Sequence, residues 1–191
     1  MPYRSRLGCA LHRPGRAISE VLARPDLFRT TLFMALTGIL FGVLIQYTMS
    51  TAVVPHFLAV YTLMFNTIWL LPSLLSMLLF WLMGKRFSAE VYLECGYLAF
   101  MPFYTGLWAY FLPAGIYHYL RGDCLAYPAI VCYDEWIYLA FPVGLGFLLS
   151  YLYSILVGVR VARARWYVSF LVWTLSLSSL YVTYLIFRGW L

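Results

Sequence analysis

The chain has 191 residues, of which 64% are hydrophobic and only 10% are charged, and its net charge is +6. A soluble globular domain averages about 25% charged residues. Four long runs contain no Asp, Glu, Lys or Arg, and they cover residues 30–84, 95–120, 136–159 and 166–187. Because a helix crosses the bilayer in about 20 apolar residues, these runs exclude a water-soluble fold, a disordered tail and a conventional nucleic-acid binder. They also lack the alternation of a transmembrane barrel, so the predicted fold class is all-α, a polytopic transmembrane bundle.

The first 27 residues are polar and basic, and they are predicted to form a cytoplasmic or interfacial segment (1–27) ahead of a transmembrane domain (28–191). Within this segment, residues 17–23 can form a short amphipathic helix with Ile18, Val21 and Leu22 on one stripe. A basic amphipathic helix of this kind typically lies at the membrane surface.

Five transmembrane helices are predicted, at about residues 28–49, 57–83, 90–112, 136–159 and 166–187. Pro72 is expected to kink the second span, because proline removes one helical hydrogen bond, and Pro102 lies in the third. Ser88 is the predicted N-cap of the third span, with Glu90 in its first turn. A polar outer loop, residues 113–135, joins the third span to the fourth.

The basic residues predict the orientation. Eleven of the 13 Lys and Arg fall in the first 29 residues, in 84–87 and in 160–165, whereas only Arg121 and Arg188 fall on the other side. Cytoplasmic loops carry an excess of Lys and Arg. We therefore expect a cytoplasmic amino terminus, an outer carboxyl terminus and an odd number of spans.

Glu94 is the most promising intramembrane polar residue. It shares a helix face with Glu90 and lies roughly 9 Å deeper than the Ser88 cap. A carboxylate at that depth is a functional candidate by default, and the alternatives are an ion pair with Lys85 or Arg160 and snorkelling to the interface. Asn66, in the second span, is a candidate for a hydrogen bond between helices.

The outer loop contains Cys124 and Cys132, with seven residues between them. A disulfide between them would stabilise the loop by about 2–3 kcal/mol, and it would form only in an oxidising compartment. Free thiols are the alternative. His118 and the acidic residues nearby show no tight zinc-ligand spacing.

No catalytic motif is visible, since the chain has no Ser/His/Asp set, HExxH, P-loop or GxGxxG. We therefore expect a protein that is not an enzyme, with no catalytic residue, no cofactor and no metal. Aromatic residues make up 20% of the chain and many lie near span ends. Such clustering is typical of interfacial belts, although a quinone or another aromatic ligand is an alternative.

The sequence resembles the Yip1 family. The resemblance rests on the basic amino terminus, on Val21-Leu-Ala-Arg-Pro25 before the first span, and on the five predicted spans. It also rests on the central run from Gly84 through the pair Ser88 and Glu90 to Tyr97 and Pro102, and it covers most of the chain from about Ile18. Eukaryotic members belong to the Golgi and endoplasmic reticulum and are linked to Rab GTPases. This chain lacks their long acidic or proline-rich cytoplasmic domain and is similar to short prokaryotic members. By resemblance, Glu90, Glu94, Tyr97 and Pro102 are structural or interaction residues.

Three functions are compatible with these features. The first is a non-enzymatic, Yip1-like protein that organises the membrane or binds a protein partner. The second is an accessory subunit of a larger membrane complex of the respiratory or oxidase type. The third is a small transporter or channel that uses Glu94. The expected partners are membrane lipids and either a membrane protein or a second copy of the chain, and not nucleic acid.

Overall fold

A computed structural model describes the backbone of residues 3–49, 55–121 and 136–188, and every regular element in these ranges is an α-helix. The all-α fold class is thereby confirmed. The helices, numbered in chain order, are α1 (Tyr3–His12), α2 (Pro14–Ala23), α3 (Leu27–Met49), α4 (Pro55–Leu82), α5 (Ala89–Leu98), α6 (Met101–Arg121), α7 (Trp136–Arg160) and α8 (Trp166–Arg188).

Four of the described helices are long and apolar enough to cross a membrane, namely α3, α4, α7 and α8. Their apolar segments are Leu27–Leu44, Leu58–Leu82, Phe141–Arg160 and Trp166–Ile186, and each exceeds or approaches the length that a bilayer requires. The chain is therefore a multi-pass helical membrane protein. The predicted third span is not among these four.

The third predicted span is two helices rather than one, because α5 ends at Leu98 and α6 begins at Met101. Pro102 explains the break. A proline has no amide hydrogen and its ring clashes with the carbonyl four residues earlier, which here belongs to Leu98. Pro102 lies at the second position of α6, where its missing N–H is not needed. The predicted third span, residues 90–112, therefore contains a break after Leu98.

Helix α6 continues to Arg121, past the predicted end of the third span at about residue 112. Cys124 and Cys132 lie outside the described residues, and their disulfide stays a prediction.

Helices α6 and α7 are antiparallel and approach closely at two glycines. A Cβ atom on Gly106 would come within 2.3 Å of the Pro142 carbonyl oxygen, and one on Gly146 within 2.5 Å of the Pro102 carbonyl oxygen. Only glycine permits backbones this close, and small residues at helix interfaces are typical of membrane bundles.

Helices α3 and α4 pack in the same way. The GxxxG pair of α3 faces α4, where a Cβ on Gly38 would lie 2.6 Å from the Asn66 amide nitrogen and one on Gly42 would lie 2.5 Å from the Thr62 hydroxyl oxygen. The side-chain amide of Asn66 donates to the Thr62 carbonyl within α4 at 2.9 Å. Asn66 thus fills the space over Gly38, and its described hydrogen bond is within its own helix rather than between helices.

The amphipathic helix expected in the amino-terminal segment is present as α2, and it packs against the bundle. Ala17, Ile18 and Val21 are fully buried, and α2 contacts α5 and α7. Leu22, which was expected on the same stripe, is 51% exposed. An apolar stripe fits a protein surface as well as a bilayer interface, and here the bundle covers it.

Candidate functional site

Glu94 lies in the middle of α5 and its side chain is completely buried. One carboxylate oxygen, Oε2, accepts the backbone N–H of Asp26 at 2.5 Å. The other, Oε1, accepts the hydroxyl of Thr30 at 3.2 Å. A buried carboxylate requires hydrogen-bond donors, and here they come from Asp26, which directly precedes α3, and from Thr30 in the first turn of α3.

These bonds place Glu94 at the amino terminus of α3. The first N–H groups of a helix have no partner within the helix, and the helix dipole makes that end partly positive. Asp26 caps the same end locally, because its Oδ1 accepts the Arg29 N–H at 3.3 Å. Two carboxylates, one local and one from α5, therefore stabilise the start of α3.

Neither expected ion pair of Glu94 is formed, since Lys85 and Arg160 have no ion-pair partner within the described part of the chain. The Glu94 side chain is completely buried, which also excludes snorkelling of its carboxylate to the membrane interface.

One further polar group lies near Glu94. The Tyr153 hydroxyl of α7 is buried and has no hydrogen-bond partner among the described residues. It is close enough to the Glu94 carboxylate for the two groups to influence each other. We call Glu94, Asp26, Thr30 and Tyr153 the Glu94 cluster.

Glu90 and Asn66, the other polar candidates, lie apart from the Glu94 cluster. Glu90 is exposed in the first turn of α5, as expected, and Ser88 is the N-cap residue although its side chain forms no capping hydrogen bond. Asn66 lies on α4 against Gly38. The structure thus leaves Glu94 as the one predicted polar candidate in this cluster.

Tyr97 and Pro102, the family-like positions, are both buried. The Tyr97 ring packs edge-on against Trp69 of α4, with ring centroids 4.5 Å apart. On the same helix the Tyr92 hydroxyl donates to the Ser76 hydroxyl at 3.0 Å. These contacts fix α5 against α4, and Pro102 accounts for the end of α5.

A second helix start is capped in the same manner. The Phe103 N–H, in the first turn of α6, donates to the Ser150 hydroxyl of α7 at 2.9 Å. None of Ser150, Asp26, Thr30 and Tyr153 was predicted as a site residue. Asp26 offered a signal, since Asp after Pro25 and before an apolar run is typical of a helix N-cap.

Cationic side chains gather at one end of the bundle, which we call the basic end. A Cβ on Gly15 of α2 would lie 3.6 Å from the Arg160 guanidinium, and one on Gly158 of α7 would lie 2.9 Å from the Phe80 ring of α4. These contacts bring together α2 and the connections after α4 and α7. The basic end contains Arg13, Arg16, Lys85, Arg86, Arg160, Arg163 and Arg165.

The Glu94 cluster is suited to helix capping. Among the described residues no group of three His, Cys, Asp or Glu side chains is placed to hold a metal ion. The carboxylate oxygens of Glu94 both receive hydrogen bonds from α3, and this arrangement holds the helix start in an apolar environment.

Compared with known proteins, the chain matches no family model, and no curated protein and no solved structure is significantly similar to it. The four long apolar helices alone define its class, the multi-pass helical membrane proteins.

Proposed function

We propose that this chain is a non-enzymatic integral membrane protein, similar to the Yip1 family, that acts by binding at its basic end and so organises the membrane or a partner protein. In this proposal α6 supplies a fifth crossing, the basic end is cytoplasmic, and the carboxyl terminus lies outside. The excess of Lys and Arg at one end of the bundle supports this orientation.

The main support for this proposal, rather than for transport, is the hydrogen bonding of Glu94. An intramembrane carboxylate is the usual sign of a transport path or of proton transfer. Here its two oxygens accept the Asp26 N–H and the Thr30 hydroxyl, and the side chain has no solvent exposure. The residue that most favoured transport therefore serves to cap a helix.

Purification in mild detergent tests this proposal against the accessory-subunit function. We expect the full chain to be recovered as a monomer or small homo-oligomer, because its helices bury their own polar groups. Recovery as a stoichiometric member of a larger complex, retained through successive columns, would contradict the proposal.

Flux measurements in proteoliposomes test it against transport. We expect no proton or solute flux above that of empty vesicles. Glu94→Gln and Glu90→Gln form a matched pair on α5, since one residue is buried and the other is exposed. Flux that Glu94→Gln abolishes and Glu90→Gln preserves would establish a transporter instead.

A further inference from the structure

The positive charge at the basic end is only partly compensated. Glu20 pairs with Arg16 at 3.1 Å. Glu90 is exposed and forms no ion pair in the described part of the chain, and Glu94 is buried. The exposed residues Arg86, Arg160 and Arg163 have no ion-pair partner in the described part of the chain. A surface with clustered unpaired cations attracts anionic ligands.

Two of these cations are exposed where α7 ends and the connection to α8 begins, namely Arg160 and Arg163. Val161, Ala162 and Ala164 are buried, whereas Arg163 is exposed and has a left-handed backbone with φ of +49°. A left-handed conformation costs roughly 1–2 kcal/mol for a residue other than glycine. Burial of the neighbouring apolar residues fixes this conformation and leaves Arg160 and Arg163 at the surface.

Aromatic residues show that these cations lie at headgroup depth. Trp81 near the end of α4 is 44% exposed, and Trp166 at the start of α8 is 70% exposed. Exposed tryptophans at span ends are typical of the bilayer interface. Arg165, beside Trp166, donates from Nη1 to the Tyr167 hydroxyl at 3.0 Å. The arginines of this connection therefore lie where lipid phosphates lie.

We propose that the basic end binds the phosphates of anionic phospholipid headgroups, with Arg160 and Arg163 as the principal ligands and Arg86 beside them. Guanidinium groups bind phosphate through two parallel hydrogen bonds. The position of the cations between exposed interfacial tryptophans favours a lipid over an acidic protein. This inference rests on the proposed function, because it names the partner of the same surface.

Lipid titration of the purified full chain, followed by native mass spectrometry, tests the inference. Dioleoyl phosphatidylglycerol and dioleoyl phosphatidylcholine have the same acyl chains and differ in headgroup charge. We expect preferential binding of phosphatidylglycerol. In Arg160→Gln/Arg163→Gln the preference should fall about fivefold for each cation removed, the factor that corresponds to about 1 kcal/mol per basic residue near an anionic surface.

The matched control is Arg121→Gln/Arg188→Gln, which removes two positive charges at the carboxyl ends of α6 and α8, away from the basic end. It should keep the wild-type preference. Lys85→Gln/Arg86→Gln provides a second variant of the basic end if the first does not fold. Equal binding of the two lipids, equal losses in both double variants, or complete displacement by millimolar inorganic phosphate would overturn the inference.

The same purified samples distinguish a failure of the proposed function from a failure of the lipid inference. Recovery of a stoichiometric complex contradicts the proposed function whatever the lipid result. If the chain is recovered alone but binds the two lipids equally, only the lipid inference is contradicted.

Discussion

Glu94 and Asp26 are 68 residues apart in sequence, yet the Glu94 carboxylate accepts the Asp26 backbone N–H at 2.5 Å. This bond ties the middle of α5 to the start of α3. In a membrane protein an uncapped helix start is costly, because water is scarce and each unpaired polar group loses its hydration. The relationship explains why a carboxylate is present inside the bundle.

Replacement of Glu94 by alanine is expected to lower the free energy of unfolding by about 2–4 kcal/mol, because the Asp26 N–H and the Thr30 hydroxyl both lose an acceptor. Glu94→Gln keeps one acceptor oxygen and should lose less. The exposed Glu90→Ala is the control and should change stability by less than about 0.5 kcal/mol. Thermal unfolding in detergent measures all three. Equal melting temperatures for Glu94→Ala and Glu90→Ala would show that the cap does not stabilise the fold.

Gly146→Ala is expected to destabilise the protein by about 1–3 kcal/mol, since the added methyl group would overlap the Pro102 carbonyl oxygen. Gly144, two residues earlier on α7, has no atom within 4 Å of its Cβ position. Gly144→Ala should therefore be neutral or stabilising by up to about 1 kcal/mol, through the higher helix propensity of alanine. The difference between the two melting temperatures checks the α6–α7 contact. If both variants behave alike, this contact is not tight.

Ser150→Ala leaves the Phe103 N–H without its acceptor inside the bundle, and it should cost about 1–2 kcal/mol. Ser178 on α8 is an exposed serine whose hydroxyl donates to the Leu175 carbonyl of its own helix. Ser178→Ala removes only that local bond and should change stability little. Unfolding by denaturant in the same detergent compares the two, and a larger loss for Ser178→Ala would contradict the capping role of Ser150.

Arg163→Gly should raise the free energy of unfolding by up to about 1 kcal/mol, because glycine adopts a φ of +49° without steric strain. The gain is limited by the greater freedom of glycine in the unfolded chain. The neighbouring Arg160→Gly, placed at the end of α7, should instead destabilise the protein. Melting temperatures of the two variants test the backbone conformation, and a stabilising Arg160→Gly would contradict this explanation.

Hydrophobic runs were sufficient to predict the all-α membrane class and the approximate positions of α3, α4, α7 and α8. The third span was predicted from the charge-free run 95–120 and from the Ser88 cap that precedes it. Composition does not distinguish one helix from two, and the break follows from the clash between the Pro102 ring and the Leu98 carbonyl.

The candidate site could be predicted in part. Glu94 was identifiable because a carboxylate near a long apolar run requires partners. Its partners were not identifiable, since Asp26 and Thr30 reach α5 only through tertiary packing. In the same way the apolar stripe of α2 was visible, but a stripe does not specify whether a bilayer or a protein surface covers it.

The basic end and the carboxyl terminus are expected on opposite sides of the membrane, and site-specific labelling measures this sidedness. Single cysteines introduced as Arg13→Cys, Arg163→Cys and Arg188→Cys, in a chain whose native cysteines are replaced by serine, can be labelled with a membrane-impermeant maleimide. We expect that intact cells label only Arg188→Cys and that Arg13→Cys and Arg163→Cys react after permeabilisation. Labelling of Arg13→Cys and Arg188→Cys from the same side would contradict it, because an odd number of crossings would then be impossible.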